Sequence, residues 1–436
     1  MSATINMKFN IKESESYSLA TITLEKTDIV TAIITVDVHQ ERTITDQAVE
    51  QLYTDAILSG AGKFSRDEFL NAVNLLGASI KISISDSNLN LTLKSTKQNF
   101  KKILKLVEMM FNSPTFEKSE LVRIKETVTN ELHEAKENTK QISLASMRNT
   151  FYGYSDRKYT YDIDATINEI KTTTTKQLKD FHNLIMKQSW TCSIAAESEM
   201  VIEFEKFIKD LKKKQKNPAE NKSLHQQKPP KSIVILKDVP SRSNIDFSIG
   251  APIPITLHHP DYVPLSFAIT ILAKWGGFSG ILMSTVREKE GLTYTIYGRP
   301  EGFTGTEQGY WRIFTFFSPD KTLQGVTSTF REISNFYKNG VTEEQLNKFK
   351  TIVNTQQELI KDSITGVLHD LHAYHSQHFT LEEMFEHKKR VNNLTLEEVN
   401  HAIKTYLKPN TLTVSGAGPV KTVKKDLEKF IKTLMQ

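Results

Sequence analysis

The amino-acid sequence predicts an α+β fold in which one sandwich, an antiparallel-rich sheet packed with helices, is built twice. Two observations support this prediction. The chain contains an internal repeat of about 220 residues, and each half opens with β-rich runs that are followed by helical patterns. At roughly 150 residues for an average domain, 436 residues are enough for two or three domains with cores of their own.

The repeat is clearest where the two halves end. The matching apolar positions are Ile167, Ile170, Leu178, Phe181, Ile185 and Met186 in the first half, and Val391, Leu394, Val399, Ala402, Tyr406 and Leu407 in the second. Each set is followed by a polar break and then by a strand-like run, which reads WTCSIAA in the first half and LTVSGAG in the second. Two homologous domains are therefore expected.

A basic, proline-containing segment separates the halves. Between Lys212 and Ser232 the sequence reads KKKQKNPAENKSLHQQKPPKS, which has no aromatic residue and a single large aliphatic one. Such a composition cannot bury an apolar face and is typical of a linker. We therefore predict domains at 1–211 and 233–436, joined by a linker at 212–232.

Charge and apolar patterning exclude several classes of partner. The formal net charge is +5, and the lysines of Asp210–Lys231 account for it, so no broad basic surface for nucleic acid is expected. Apolar runs such as Leu265–Leu272 are much shorter than the ~20 residues of a membrane span. No nucleic-acid or membrane partner is therefore predicted.

The single cysteine and the start of the chain indicate the compartment. Cys192 has no partner for an intrachain disulfide, which fits a reducing environment. The start, MSATINMKFNIKESESYS, lacks the apolar core of a secretory signal. We expect a cytoplasmic location, unless a signal sequence has been removed.

Individual elements follow from local patterns. The run TDIVTAIITVDV opens the first half as strand, and KSIVILKDV and SNIDFSIGA open the second. Ser65 is a candidate N-cap for a helix that ends at Gly77, with acidic residues in its first turn. The apolar positions of this helix are Phe69, Val73 and Leu75. The next segment, ASIKISISDSNLNLTL, alternates as a half-buried antiparallel strand pair.

Two longer amphipathic helices are predicted next, at Asn99–Phe111 and Glu117–Lys136, separated by Pro114. The second helix has one apolar stripe, formed by Leu121, Ile124, Val128 and Leu132.

Common catalytic motifs are missing. The sequence contains no GxxxxGK[ST] phosphate loop, no GxSxG elbow and no HExxH helix. Four histidines occur three residues apart, at His369, His372, His375 and His378. On a helix only neighbouring pairs of these could share a metal ion, so ordinary helix residues are the favoured interpretation and a metal site stays open.

The segment GGFSGILMSTVREKEGLTYTIYG, Gly276–Gly298, combines glycines with charged and aromatic residues. Its glycines are predicted to open a helix whose last turn carries Arg287, and Gly291 to end that helix before an aromatic strand, Leu292–Tyr297. Arg287 and Tyr294 could then converge and bind a peptide carbonyl or an oxyanion. Spacing alone still favours a surface arginine and a core tyrosine.

This segment resembles the signature of the second domain of the pitrilysin/insulinase-type zinc metallopeptidases, the inverzincins. The resemblance extends over nearly the whole chain, because AVEQLYTDAILSGAGKFSRDEFLNAVNLLGASI resembles the stretch that carries the family's zinc-binding HxxEH helix. It implies that the chain forms half of a clam-shaped chamber. It also implies that Arg287 and Tyr294 help to hold substrate.

The resemblance fails where the zinc ligands should be. The HxxEH positions fall on QLYTD, so Gln51 and Asp55 replace the histidines and Thr54 replaces the general-base glutamate. The third ligand position, Glu131, keeps its glutamate. A catalytic zinc needs three strong ligands and a base for its water, so no metal is expected in this chain.

By this resemblance the chain is similar to the non-metal-binding subunit of the bacterial heterodimeric branch of the family. That similarity implies a homologous HxxEH-bearing partner that holds zinc, a peptide substrate, and an Arg287/Tyr294 clamp that this chain supplies for peptide hydrolysis. The chain alone is expected to be inactive.

Two alternatives remain open. The chain could be a structural or peptide-binding subunit related to processing-peptidase-like core proteins. It could also form a homodimer in isolation, with Gln51, Asp55 and Glu131 holding a different metal.

Overall fold

The chain folds into two compact units, which we describe separately. The first consists of the described parts of 1–132, 161–224 and 358–384, and the second of the described parts of 133–160, 225–357 and 385–436. The computed structural model describes residues 7–38, 41–86, 88–213, 227–274, 279–421 and 423–434.

Strands in the described residues form one sheet in each unit and one short hairpin. They are β1 (Met7–Glu13), β2 (Tyr17–Leu24), β3 (Ile29–Asp37), β4 (Gly60–Ala61), β5 (Phe64–Ser65), β6 (Ser79–Ser85), β7 (Asn88–Thr96), β8 (Trp190–Glu197), β9 (Ile233–Asp238), β10 (Ile245–Ile253), β11 (Ile296–Glu301), β12 (Gly309–Phe317) and β13 (Thr413–Gly418). The first sheet has the order β1-β2-β8-β3-β7-β6, the second β11-β12-β10-β13-β9, and β4 pairs with β5.

The two sheets share a five-strand topology, to which the first sheet adds β1 as an outer strand beside β2. In the first sheet the shared order is β6-β7-β3-β8-β2, and in the second it is β11-β12-β10-β13-β9. In both orders the first two strands form a hairpin, the fourth is the last strand of its set in the sequence, and the fifth is the first. The late strand pairs in parallel with the early one in both sheets, β8 with β2 and β13 with β9, and the other pairings are antiparallel. This confirms the predicted α+β fold with one sandwich built twice.

Helices pack on these sheets. They are α1 (Ile44–Ala56), α2 (Arg66–Leu75), α3 (Phe100–Asn112), α4 (Lys118–Ala135), α5 (Thr139–Phe151), α6 (Ile163–Thr172), α7 (Thr175–Lys187), α8 (Ser198–Lys212), α9 (Tyr262–Ala273), α10 (Thr322–Asn339), α11 (Glu343–Lys361), α12 (Ile364–His375), α13 (Leu381–Arg390), α14 (Leu396–Tyr406) and α15 (Lys424–Leu434). In the first half the repeated apolar positions lie on α6 and α7, before β8. In the second half Val391 and Leu394 lie in the turn region after α13, and the remaining positions lie on α14 or directly after it, before β13.

Each unit takes one helix from the other half of the sequence. Helix α12 belongs to the first unit and packs on β8, β2 and β3. Helix α5 belongs to the second unit and packs on β10 and β13. The compact units therefore interleave the sequence segments 1–211 and 233–436, and most of the predicted linker at 212–232 lies outside the described residues.

Local signals place several elements as predicted. Ser65 caps α2 through a reciprocal capping box with Glu68, and Gly77 adopts φ 59 just after the helix. Leu75 was expected on the apolar face, but it is 86% exposed. The helical period explains this exposure, because Phe69 and Val73 define the buried face of α2 and Leu75 lies off it.

The strand pair and the long helices also agree with the prediction. Strand β6 pairs antiparallel with β7 over its full length, and the buried stripe of α4 contains Leu121, Ile124 and Val128. Among the described residues no helix is long and apolar enough to cross a bilayer.

Candidate functional site

Arg287 lies on a π-helical segment, Met283–Lys289, in the second unit. The wider turn is visible where the segment ends, because the Glu290 backbone N–H donates to the Thr285 carbonyl at 3.0 Å, five residues back. Gly291 then reverses the chain at φ 61, a conformation that disfavours side chains with a Cβ. Gly276 and Gly277, predicted to open this helix, lie outside the described residues.

Tyr294 lies in a loop and not in the predicted strand Leu292–Tyr297, because β11 begins only at Ile296. Threonine side chains hold the loop in place. The Thr293 hydroxyl donates to the Thr295 carbonyl at 3.0 Å, and the buried Thr315 hydroxyl of β12 donates to the same carbonyl at 3.1 Å. These side-chain bonds hold the segment outside the strand ladder, which is why the aromatic pattern misplaced the start of the strand.

The two predicted clamp residues lie together. The guanidinium carbon of Arg287 is 5.1 Å from the centroid of the Tyr294 ring, which is within cation–π range. Tyr294 is 75% exposed, whereas the sequence spacing alone had favoured a core tyrosine. An arginine and a phenol on one surface offer several hydrogen-bond donors to a carbonyl or an oxyanion.

Sequence reasoning missed the threonines that position this pair. Thr293 and Thr295 flank Tyr294, and Thr315 lies on the neighbouring strand with no exposed surface. A threonine hydroxyl can accept from the backbone N–H two residues on, as Thr293 does from Thr295, and that signal for a local turn was available in the sequence.

The residues predicted to replace a zinc motif, Gln51–Asp55, lie in the C-terminal part of α1 in the first unit. Leu52 and Tyr53 are buried in the core, Gln51 and Thr54 are partly buried, and Asp55 is exposed. Thr54 donates only a long hydrogen bond of 3.4 Å to the backbone carbonyl of Gln51.

The residue before the motif has a structural partner. Glu50 is buried and lies 3.5 Å from the guanidinium of Arg42, measured from Oε2 to Nη1. Arg42 also lies over the ring of Tyr161, whose hydroxyl donates to the Arg42 carbonyl. Glu50 therefore cannot replace the missing ligand at Gln51 by a shift of one position.

The residues at the motif do not fit zinc. The side-chain oxygen of Gln51 is buried without a hydrogen-bond partner, but a neutral amide is a poor zinc ligand. Asp55 and Glu131, which is exposed on α4, would add only carboxylate oxygens. Among the described residues no group of three or more His, Cys, Asp or Glu side chains is placed to hold a metal ion.

Two of the four histidines at 369–378 are buried in the first unit. Both ring nitrogens of His372 form hydrogen bonds: Nε2 lies 2.7 Å from the Thr35 hydroxyl, and Nδ1 lies 2.8 Å from the Ser193 hydroxyl. His375 pairs with the Ser18 hydroxyl at 2.5 Å. Burial lowers the pKa of His372 to about 3 and that of His375 to about 4, with neighbouring histidines adding to the shift. These two side chains therefore serve to dock α12 on the sheet.

Two family models match the chain. The model described as "Insulinase (Peptidase family M16)" matches residues 22–160, and the one described as "Peptidase M16 inactive domain" matches residues 173–353. No curated protein matches the chain significantly.

Solved structures share its fold. The peptidase M16 inactive domain from Pseudomonas fluorescens is 20% identical, with a TM-score of 0.82 over 95% of this chain and 98% of that one. A protease from Helicobacter pylori is 15% identical, with a TM-score of 0.78 over 94% of this chain and 100% of that one. A conserved protein from Enterococcus faecalis V583 is 14% identical, with a TM-score of 0.77 over 95% and 98%.

At these identities the structural likeness concerns the fold. The two sequence models are more specific, because both describe one family and together they match most of the chain. The resemblance inferred from the motifs is thereby confirmed, and the chain belongs to peptidase family M16.

Proposed function

We propose that this chain is the zinc-less subunit of a two-chain zinc peptidase. A homologous partner with an intact HxxEH helix supplies the metal ion and the general base. This chain supplies Arg287 and Tyr294, which bind the backbone of a peptide beside the bond that is hydrolysed. The observation that carries the proposal is that the Arg287 guanidinium, on its π-helical segment, lies beside the ring of Tyr294, which is on a loop fixed by hydrogen bonds.

Each residue of the pair has a defined role in this proposal. Arg287 offers a fork of N–H donors to a substrate carbonyl. Tyr294 offers a phenolic O–H from an exposed position. Donors fixed before the reaction stabilise the negative charge that develops on the carbonyl oxygen as it is attacked.

The state of α1 supports the assignment of a non-metal role. Gln51, Thr54 and Asp55 provide no imidazole, and the hydroxyl of Thr54, at the position expected for the general base, cannot take a proton from a metal-bound water. Peptide hydrolysis by this chain therefore depends on groups that another subunit brings.

A structural or peptide-holding subunit is the second candidate, and loss of the metal ligands fits it equally well. An exposed tyrosine under an arginine favours the first candidate, because a scaffold does not require such a pair at the surface.

Reconstitution tests the proposal. The purified chain is mixed with the HxxEH-bearing homologue from the same genome, and hydrolysis of a fluorogenic peptide is followed for each protein alone and for the mixture. We expect no stoichiometric zinc and no turnover for this chain alone, and turnover in the mixture above that of the partner alone.

Two results would contradict it. Close to one equivalent of zinc in the isolated chain, lost in Glu131→Ala, would assign the metal to this subunit. Activity of the mixture equal to that of the partner alone would favour the structural candidate.

A further inference from the structure

A short turn connects Arg287 to Tyr294. Arg287 lies near the end of its π-helical segment, and the chain then turns at Glu290 and Gly291 before it reaches Tyr294. Three backbone hydrogen bonds of 3.0 Å join this turn to the segment, with the N–H groups of Glu290, Gly291 and Leu292 donating to the carbonyls of Thr285, Arg287 and Val286 respectively. Because the turn connects the two residues, its position sets the distance between them.

The side chain of Glu290 attaches this turn to helix α10. Its carboxylate pairs with the Arg331 guanidinium, and Nη2 of Arg331 also donates to the Ser328 hydroxyl at 3.0 Å. Partial burial opposes the ionisation of Glu290, but hydrogen bonds with Ser328 and Arg331 outweigh it and lower the pKa of the carboxyl. Glu290 is therefore ionised at neutral pH, and the attachment is a charge-assisted one.

The backbone of the same turn has a second attachment. Nζ of Lys321, which lies just before α10, donates to the Gly291 carbonyl at 3.2 Å. Lys321 and Arg331 are ten residues apart in the sequence, which corresponds to about 15 Å along a helix. Two attachments with origins this far apart fix the direction of the turn as well as its position.

Helix α10 is a firm support for these contacts. Its apolar residues Val326, Phe330, Ile333 and Phe336 are buried in the core of the second unit. A helix packed in this way does not follow small movements of a loop, because close-packed cores resist deformation. The turn is thus held from α10, while the loop of Tyr294 is held from β12 by the Thr315 hydroxyl.

A contribution to overall stability is a weak explanation for these contacts. The side chain of Arg331 is 46% exposed and that of Glu290 is 25% exposed, and ion pairs near the surface add little to the free energy of unfolding. The contacts converge on two consecutive residues that lie between Arg287 and Tyr294. Their placement points to a role in holding that pair.

We propose that Glu290, Arg331 and Lys321 are positioning residues that hold Arg287 and Tyr294 at the spacing required to bind one substrate carbonyl. The inference rests on the proposed function for the reaction, whereas the spacing is a property of this chain alone. Donors that stabilise a transition state need precise placement, and a shift of about 1 Å can cost up to about 10²-fold in rate.

Kinetics of the reconstituted pair test the role in the reaction. In Arg331→Met we expect kcat to fall about tenfold with little change in KM, because the displaced donors act mainly on the transition state. The charge-swapped combination of Glu290→Arg with Arg331→Glu should recover most of the lost rate, which neither single change does. Lys389→Met removes an exposed ion pair with Glu386 on α13 and should leave the kinetics unchanged.

Fluorine NMR of the chain alone tests the spacing without hydrolysis. The tyrosines are replaced by 3-fluorotyrosine, and the resonance that disappears in Tyr294→Phe belongs to Tyr294. Arg287→Ala should displace this resonance, because the guanidinium carbon lies 5.1 Å from the ring centroid. We expect Arg331→Met and Lys321→Met to move it part of the way to the Arg287→Ala position, and Lys389→Met to leave it in place.

Two results would overturn the inference. The first is an unmoved Tyr294 resonance in Arg331→Met and Lys321→Met, with Tm unchanged. The second is full activity of Arg331→Met in a pair that Arg287→Ala impairs, which would leave the proposed function in place. Full activity of Arg287→Ala would instead reject the proposed function, and the fluorine resonance would decide separately whether α10 sets the spacing of the two residues.

Discussion

Glu50 and Gln51 are adjacent residues with different roles. Glu50 is buried beside the Arg42 guanidinium, whereas Gln51 is the residue that the sequence resemblance predicts at a metal-ligand position. The stability of α1 therefore does not depend on a metal ion at Gln51, because the helix has a buried face and Glu50 has an ion-pair partner.

Removal of the Arg42 guanidinium should destabilise the fold. In Arg42→Met, Glu50 stays buried without this ion-pair partner, and we expect the free energy of unfolding to fall by about 3 kcal/mol. Adding Glu50→Gln should recover part of that loss. Asp55→Asn, on the exposed face of the same helix, should change stability by less than about 0.5 kcal/mol. Urea unfolding measures the free energy of unfolding of each variant. Equal decreases for Arg42→Met and Asp55→Asn would contradict a structural role for the ion pair.

At the scale of elements, local patterns predicted most helices and strands, and non-local contacts decided the exceptions. The alternation of SIKISIS and the caps of α2 depend on neighbours in sequence, so the sequence was sufficient. The loop of Tyr294 depends on Thr315 across the sheet, and the burial of His372 depends on Thr35 and Ser193. Such partners are far away in sequence and no local pattern identifies them.

The docking of α12 should depend on pH. His372 and His375 are buried in their neutral forms, so their folded pKa values lie below the unfolded value of about 6.5. Below about pH 6.5 the unfolded chain binds protons that the folded chain does not. The contribution of the two neutral histidines to the free energy of unfolding is therefore fully present above that pH and is lost as the pH falls. We expect a loss of about 2 kcal/mol for each histidine between about pH 7 and about pH 5.

Urea unfolding at both pH values, compared with His372→Gln, measures this effect. The variant should show a smaller difference between the two pH values, whereas His133→Gln, at an exposed position of α4, should behave like the unaltered chain. The same pH dependence in His372→Gln would exclude the buried histidine as its cause.

At the scale of the whole molecule, the exchange of helices links the two halves of the sequence. Helix α12 covers an apolar patch on the first sheet that includes Ala20, Ile22 and Ile33. Helix α5 lies on the second sheet, where Ser143 and Ser248 lie within hydrogen-bond distance at 3.0 Å. The sequence predicted a linker and a duplication, but it did not predict this exchange, which depends on contacts between segments more than one hundred residues apart.

Separated halves should therefore fold poorly. The fragment 1–211 lacks α12 and exposes the apolar patch, and the fragment 233–436 lacks α5. We expect each fragment alone to bind a hydrophobic dye and to unfold without cooperativity, and co-expression to restore a cooperative transition. Cooperative unfolding of the fragment 1–211 alone, without dye binding, would show that α12 is dispensable.

The central claim is that this chain contributes Arg287 and Tyr294 to hydrolysis carried out with a partner's metal ion. The most direct test is kcat/KM of the reconstituted pair with Arg287→Ala or Tyr294→Phe in this chain. If each donor supplies roughly 2.7–4 kcal/mol to the transition state, kcat/KM should fall about 10²-fold or more while the zinc content of the pair stays the same. Unchanged kinetics in both variants would contradict the claim.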